Sequence, residues 1–235
     1  MVQMILSDTA EPSYAVRLRF YKRGSLTFIA HLDLVRTLTK SISRAGIPVR
    51  YSEGFNPHPR FSFATAMSIG LESVSEFMDI RIDKPVDPEG VTLALRRALT
   101  EECYIEESYF PATKFTDILY SSYRIEIRTA NASEALARSA DAALKAKPLT
   151  VFKRSKSGDR DTDISGGIKE SRAFFENGAV VVEATLAADN AGFLNPEYLV
   201  TYLKDTLGML KGSLLGESYS VLRTGLYTKD MTPFR

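Results

Sequence analysis

The chain holds one cysteine, two histidines and no tryptophan in 235 residues. A lone thiol, Cys103, excludes an intrachain disulfide, the usual Cys/His zinc sites and a cysteine-held iron–sulfur cluster. It points to a reducing, cytoplasmic home. No run approaches the roughly 20 apolar residues that span a bilayer, so no membrane insertion is expected. The opening MVQMILSDTAEP lacks an apolar stretch of signal-peptide length and reads as a short lead-in. A P-loop, a glycine-rich dinucleotide fingerprint, a nucleophile elbow and a His-x-x-x-His pair are all missing, so the residues offer no metal site and no cofactor. Nor does one sign of charge prevail: 30 basic residues meet 29 acidic ones, a net +1 that excludes a uniformly basic coat.

What is present is ordinary globular material, 44% hydrophobic and 25% charged, enough for two compact units of about 110 residues. Tyr14 to Tyr21 alternates Val16, Leu18 and Phe20 with Arg17, Arg19 and Tyr21, the period of a strand. From Phe28 to Ala45, His31, Leu34, Val35, Leu38, Ile42 and Ala45 form one helical stripe, with Gly46 as its stop. A short strand is expected at Val49 to Ser52. Glu53 to Arg60, EGFNPHPR, is turn chemistry and must be a stiff exposed loop. FSFATAMSIG is ambiguous between strand and packed loop; Glu76 to Asp83 alternates as a strand. Asp87 caps and Pro88 opens a helix to about Thr100, and Tyr104 to Phe110 closes the unit.

The same order recurs after a connection at Pro111 to Leu119. Tyr120 to Thr129 reads as a strand, Ser133 to Lys147 as an alanine-rich helix, and LTVFKRS as a strand. Ile168 to Phe175 and Ala179 to Ala187 flank Asn177-Gly178, a hairpin turn signal. A helix follows from Asn195 to Leu207 and a strand from Tyr219 to Tyr227. Strand, helix, strand, strand, helix, strand, twice over, predicts an α+β protein of two tandem ferredoxin-like (split β-α-β) domains, 14–110 and 120–228.

The neutral total conceals segregation. Between Tyr14 and Arg60, nine basic residues meet only Asp33 and Glu53, a net +7; between Phe61 and Leu119, five meet eleven carboxylates, a net −6. Arg17 and Arg19 alternate on one strand face, and Arg36, Lys40 and Arg44 stripe one helix face, so a shared basic surface is expected. Tyr21, Phe28, Tyr51 and Phe55 lie among these charges, and rings interleaved with guanidinium groups suit stacking on unpaired bases. The candidate substrate-binding residues are therefore Arg17, Arg19, Arg36, Lys40, Arg44, Tyr51, Phe55, Asn56, His58 and Arg60. A mixed-charge loop, Lys153 to Gly167, is a further candidate to close over a ligand.

His31 falls near the start of the first helix, where the positive dipole end favours neutral imidazole. His58 lies between two prolines beside Arg60. Were the loop to fold back onto the helix start, His31, His58 and Arg60 would supply a base, an acid and a cation. Those parts suffice for metal-independent RNA cleavage by the 2′-hydroxyl. The bland reading has His31 as a packing residue on its apolar stripe and Asp33 as a first-turn acid.

The run YKRGSLTFIAHLDLVRTLTKSISRAGIPVRYSEGFNPHPRFSFATAMSIG, followed by EFMDIRID, resembles the central block of the radical-SAM-linked protein family, a domain of unknown function. Members stand next to, or fused behind, radical S-adenosylmethionine proteins with a cobalamin-binding region. Ala30 and Glu53 replace a serine and a glutamine of the family pattern; His31, Asp33, Arg36, Tyr51, Gly54, Phe55, Asn56, Pro57, His58, Pro59 and Arg60 match it. In the second half only KRSKSGDRDTDISG is similar. The resemblance implies association with a separately encoded radical-SAM enzyme, whose chemistry needs three cluster-binding cysteines where this chain has one. The expected architecture also resembles that of CRISPR repeat-processing endoribonucleases. The leading expectation is a non-catalytic accessory that binds RNA and presents it to that enzyme. The alternatives are an endoribonuclease using His31, His58 and Arg60, and a protein-docking module that binds no nucleic acid.

Overall fold

A computed structural model describes residues 14–153, 158–189, 192–212 and 216–235. The N-terminal lead-in, and the part of the mixed-charge loop from 154 to 157, lie outside them.

The first half runs β1 (Tyr14–Lys22), α1 (His31–Arg44), β2 (Phe61–Phe63), β3 (Leu71–Ile82), α2 (Pro88–Ala98) and β4 (Ile105–Tyr109). Its strands lie side by side as β4-β1-β3-β2, every neighbour antiparallel, the ferredoxin-like arrangement. The second half runs β5 (Tyr120–Arg128), α3 (Glu134–Lys145), β6 (Thr150–Lys153), β7 (Arg160–Asp163), β8 (Ile168–Glu176), β9 (Ala179–Ala187), α4 (Glu197–Leu207) and β10 (Ser218–Tyr227). Its order, β10-β5-β9-β8, repeats the first. The tandem ferredoxin-like α+β architecture is therefore the fold.

Local chemistry sets the element ends. Asp87 accepts from the Glu89 and Gly90 N–H groups and Pro88 takes the first turn of α2; Ser133 caps α3. Gly46 follows α1 at a φ of 68°, the left-handed geometry that a residue without Cβ adopts freely. The helix begins at His31 and not at Phe28, because Gly24–Phe28 winds into a 3-10 turn. Val49 to Ser52 forms isolated bridges, Val49 to Ile82 and Tyr51 to Pro59, instead of a strand. Within the expected LTVFKRS strand, Thr150–Lys153 pairs with Arg160–Asp163 in a separate two-stranded sheet, inserted between α3 and β8 and outside the main sheet.

The two halves share one sheet. β3 is 12 residues long; its far end pairs with β2, and its beginning runs parallel to β10, with Leu71 beside Val221 and Ser73 beside Arg223. Both helix pairs lie on one side of this sheet. Val16, Leu18 and Phe20 pack with Leu34, Leu38 and Ile42 of α1 and Leu95 of α2; Ile125, Val182 and Leu186 pack with Ala140 of α3 and Leu203 of α4. The other face carries a small cluster, Phe77, Ile118, Leu226 and Phe234, where the 111–119 connection and the C-terminal segment cross the first half.

Candidate functional site

Alternation along β1 puts Val16, Leu18 and Phe20 against the helices and Arg17 and Arg19 on the reverse face. The sheet thus stands between Arg17 and Arg19 and the α1 stripe Arg36, Lys40 and Arg44, so the shared basic surface does not form. Arg17 is 1% exposed. Its guanidinium forks onto Asp79 at 2.7 and 2.9 Å, donates to Thr113, and lies 4.4 Å from the Phe115 ring centroid and 4.9 Å from that of Phe234. A guanidinium so engaged and so buried anchors the connection and the C-terminal segment and is not open to a phosphate. Arg19 sits 2.9 Å from Glu106. Arg36 pairs with Asp33 at 2.7 Å, and Arg44 donates to Ser41 and to the Ala98 carbonyl, tying α1 to α2. Lys40 is exposed on α1 with no partner among the described residues.

Tyr51 to Arg60 is an arm projecting from the sheet. Ser52 N–H donates to the His58 carbonyl at 2.8 Å, and His58 N–H to the Ser52 hydroxyl at 3.1 Å. The Ser52 hydroxyl also lies 2.9 Å from His58 Nδ1, which orients the imidazole. Tyr51, Phe55, Asn56, His58 and Arg60 are exposed, and Phe55 at the tip is fully so. At its base the arm joins β3: Arg50 N–H donates to the Arg81 carbonyl at 2.8 Å, Arg81 N–H to the Arg60 carbonyl at 3.1 Å, and Arg60 N–H to the Arg50 carbonyl at 2.9 Å. Arg50 was counted in the basic segment but not among the candidate binding residues, and Arg81 escaped the sequence reading because it belongs to the acidic segment; pairing FSF with EFMDIRID would have found it.

His31 does not meet the arm. Its ring packs edge-on against Phe63 at 4.9 Å, and five residues of extended chain, about 16 Å, separate Phe63 from His58. No hydrogen bond links His31, His58 and Arg60 among the described residues, and no group of three or more potential metal ligands occurs among them. A second exposed feature lies near His31: Gly70 N–H donates to the Thr27 carbonyl at 2.8 Å, which joins the segments carrying exposed Ile69 and exposed Phe28, and Leu32 is exposed in the first turn of α1.

Two other polar places bear on function. A cavity of about 630 Å³ lies on the helix-free face of the second half, lined by Ser122, Arg124, Arg172, Glu183, Thr185 and Tyr227 among others. Its cations are neutralised there: Arg124 reaches Glu126, Glu176 and Glu183, and Arg172 reaches Glu183 at 2.5 Å. At the seam of β3 and β10, Arg223 and Lys22, each 1% exposed, flank Glu76. Arg223 donates to Glu76 and to Thr65, both at 2.6 Å. Burial would lower the Arg223 pKa, but Glu76 and Tyr123 raise it and keep the guanidinium charged. Burial also pulls the Lys22 ammonium below its ordinary range, and the Arg223 charge adds to that against the pull of Glu76.

These features define a class: an α+β protein of paired ferredoxin-like halves on one sheet, with a rigid aromatic and basic arm at its edge. The chain belongs to the family described as uncharacterized protein conserved in bacteria (DUF2344), whose profile matches residues 15–196. No functionally curated protein matches it. Among solved structures it is similar to a chain in the crystal structure of a Cbf5-Nop10-Gar1 complex, at 10% identity and a TM-score of 0.48 over 91% of this chain. It spans 49% of that chain, about half its length. It is also similar to an unknown protein from Galdieria sulphuraria, at 12% identity and a TM-score of 0.27, covering 90% of this chain and 99% of the other. No helix among the described residues is long and apolar enough to cross a membrane.

Proposed function

We propose that the protein is a nucleic-acid-binding accessory that holds RNA on the arm and presents it to a separately encoded radical-SAM enzyme. The observation that carries the RNA reading is the arm itself. Tyr51, Phe55 and His58 offer exposed rings beside Arg60, whose guanidinium has no protein partner among the described residues. Ring faces next to an unpaired guanidinium suit stacking on splayed bases with a phosphate alongside. Exposed Lys40 on α1 adds a sequence-independent contact. The radical-SAM link rests on the motif block from Tyr21 to Gly70 and its resemblance to the radical-SAM-linked family.

The test is binding of single-stranded and transfer-RNA-sized RNA across a salt series. We expect log affinity to fall with log salt by about 0.7 per phosphate contacted on a single strand. Phe55→Ala with Arg60→Ala should lose most of the affinity. A slope near zero would sink the reading.

One observation favours a second reading, docking of the enzyme partner without RNA: the exposed apolar trio Phe28, Leu32 and Ile69 at the start of α1. Co-purification that survives nuclease and is lost in Leu32→Asp would support it. The endoribonuclease alternative has no such support, since no hydrogen bond joins His31, His58 and Arg60 among the described residues.

A further inference from the structure

Three arginines far apart in sequence close a ring of backbone hydrogen bonds: Arg50 to Arg81, Arg81 to Arg60 and Arg60 to Arg50. Hydrogen-bonded strand neighbours of this kind have Cα atoms about 5.5 Å apart. All three side chains leave the same face. Val49, Ile80 and Ile82 are buried in the first-half core and Phe61 packs on it, so alternation sends Arg50, Arg81 and Arg60 to the helix-free side.

Among the described residues, the carboxylates near this node do not balance Arg60 and Arg81. Asp79, two residues before Arg81, is spent on both prongs of Arg17. Asp83 is half exposed and lies 3.8 Å from Arg50, at the limit of an ion pair. Arg60 and Arg81 have no ion-pair partner among the described residues. Arg50 has partners of its own, so the excess rests on Arg60 and Arg81, about two positive charges among the described residues in one small area, held there by the strand ladder whatever their repulsion costs. Planar guanidinium forks match phosphate oxygens, and charge-assisted bonds of that kind are about twice as strong as neutral ones. A phosphodiester inside a strand brings one negative charge. A phosphate monoester brings about 1.5 to 2 at pH 7, which matches the excess.

We infer that Arg60 and Arg81, side by side at this node, bind the terminal phosphate monoester of an RNA strand, with the arm contacting the nucleotides that follow. This inference rests on the RNA reading above and names the end of the molecule that the site takes. Arg81 is then a binding residue, although it lies outside the basic segment of the sequence.

The experiment is fluorescence anisotropy with one 12-nucleotide single-stranded RNA in three forms, 5′-phosphorylated, 3′-phosphorylated and hydroxyl at both ends. Wild type, Arg81→Ala and Lys40→Ala are compared at fixed salt. We expect one phosphorylated form to bind at least about tenfold tighter than the hydroxyl form, the scale of one charge-assisted contact. Arg81→Ala should erase that ratio with its thermal midpoint unchanged; Lys40→Ala should weaken all three forms and leave the ratio intact. Equal binding of the three forms would overturn the terminal-phosphate assignment while leaving RNA binding in place. Binding of none would defeat the RNA reading itself. Competition by a phosphoserine peptide as strong as that by phosphorylated RNA would overturn the commitment to RNA.

Discussion

Arg17 shows how much a single buried guanidinium holds. It neutralises Asp79, satisfies Thr113, and sits between the Phe115 and Phe234 rings, so one side chain joins β1, β3, the 111–119 connection and the C-terminal segment. Arg17→Ala would leave Asp79 largely desolvated without its partner, and breaking a buried pair costs about 3–5 kcal/mol. Urea unfolding should show that loss. Arg17→Lys should recover little of it, because an ammonium cannot bridge both carboxylate oxygens and Thr113 together. An arginine alternating with apolar residues on a strand carries no mark of burial, and for that reason Arg17 reads from sequence as a surface cation. Two acids in the same half set an alkaline limit. Burial pushes the Cys103 thiol up to about 12, and burial likewise pushes the Tyr109 phenol up to about 12. In the unfolded chain they ionise near about 8.5 and 10. Between roughly pH 9 and 12 the folded state therefore holds more protons than the unfolded one, so stability is fully present below that window and falls as pH rises through it. Denaturation midpoints from pH 8 to 11 should trace the fall, and the pair Cys103→Ala with Tyr109→Phe should flatten it.

At the scale of elements, the helices and most strands were legible because their periods are local. α1, α2 and α3 begin and end within a few residues of the positions that apolar stripes, Asp87, Ser133 and Gly46 imply. The arm was legible as an exposed loop from its prolines and glycine, but not as a hairpin, since its pairing joins one backbone bond, Ser52 N–H to the His58 carbonyl, with bonds to the Ser52 hydroxyl that no turn pattern marks. Nor was the convergence of His31 with His58 and Arg60 readable: it depended on the loop folding back, whereas the ladder holds it out along the sheet edge. The start of β3 was missed because LESVS puts polar residues where a strand core expects apolar ones; Ser73 and Ser75 are buried all the same, beside the Arg223 and Glu76 pair. The arm's independence from the core makes a clean prediction. Replacing Glu53–Pro57 by Asn-Gly keeps the Ser52 and His58 pair and gives it a two-residue hairpin turn. Every side chain removed is exposed, so the thermal midpoint should stay within about 2 °C, the shift expected from surface changes in a chain of this size. RNA binding should fall sharply, and calorimetry beside the anisotropy assay checks both.

Over the whole molecule, the charge segregation along the chain is folded away. The +7 segment from Tyr14 to Arg60 and the −6 segment from Phe61 to Leu119 become neighbouring strands. There Arg17 meets Asp79, Arg19 meets Glu106, Arg50 meets Asp83, and Arg223 of the second half meets Glu76 beside Lys22. A sum over a sequence window is blind to such pairing, because strands that neutralise each other are separated by whole helices in the chain. What escapes neutralisation is small and local, which is why the arm and its arginine base stand out. The same pairing holds the halves together at the β3 and β10 seam, where the core is polar. Among the described residues Glu76 is the one carboxylate there facing two buried cations, so Glu76→Gln should leave both Arg223 and Lys22 uncompensated and cost about 3–5 kcal/mol. Lys22→Met on its own removes a desolvated ammonium and should be neutral or stabilising. Combined with Glu76→Gln it should recover part of the loss, because one of the two stranded charges is gone. The coupling energy from a double-mutant cycle, read by urea unfolding, measures this directly. Strict additivity of the two substitutions would mean that Lys22 does not feel Glu76 and that the seam is held by Arg223 alone.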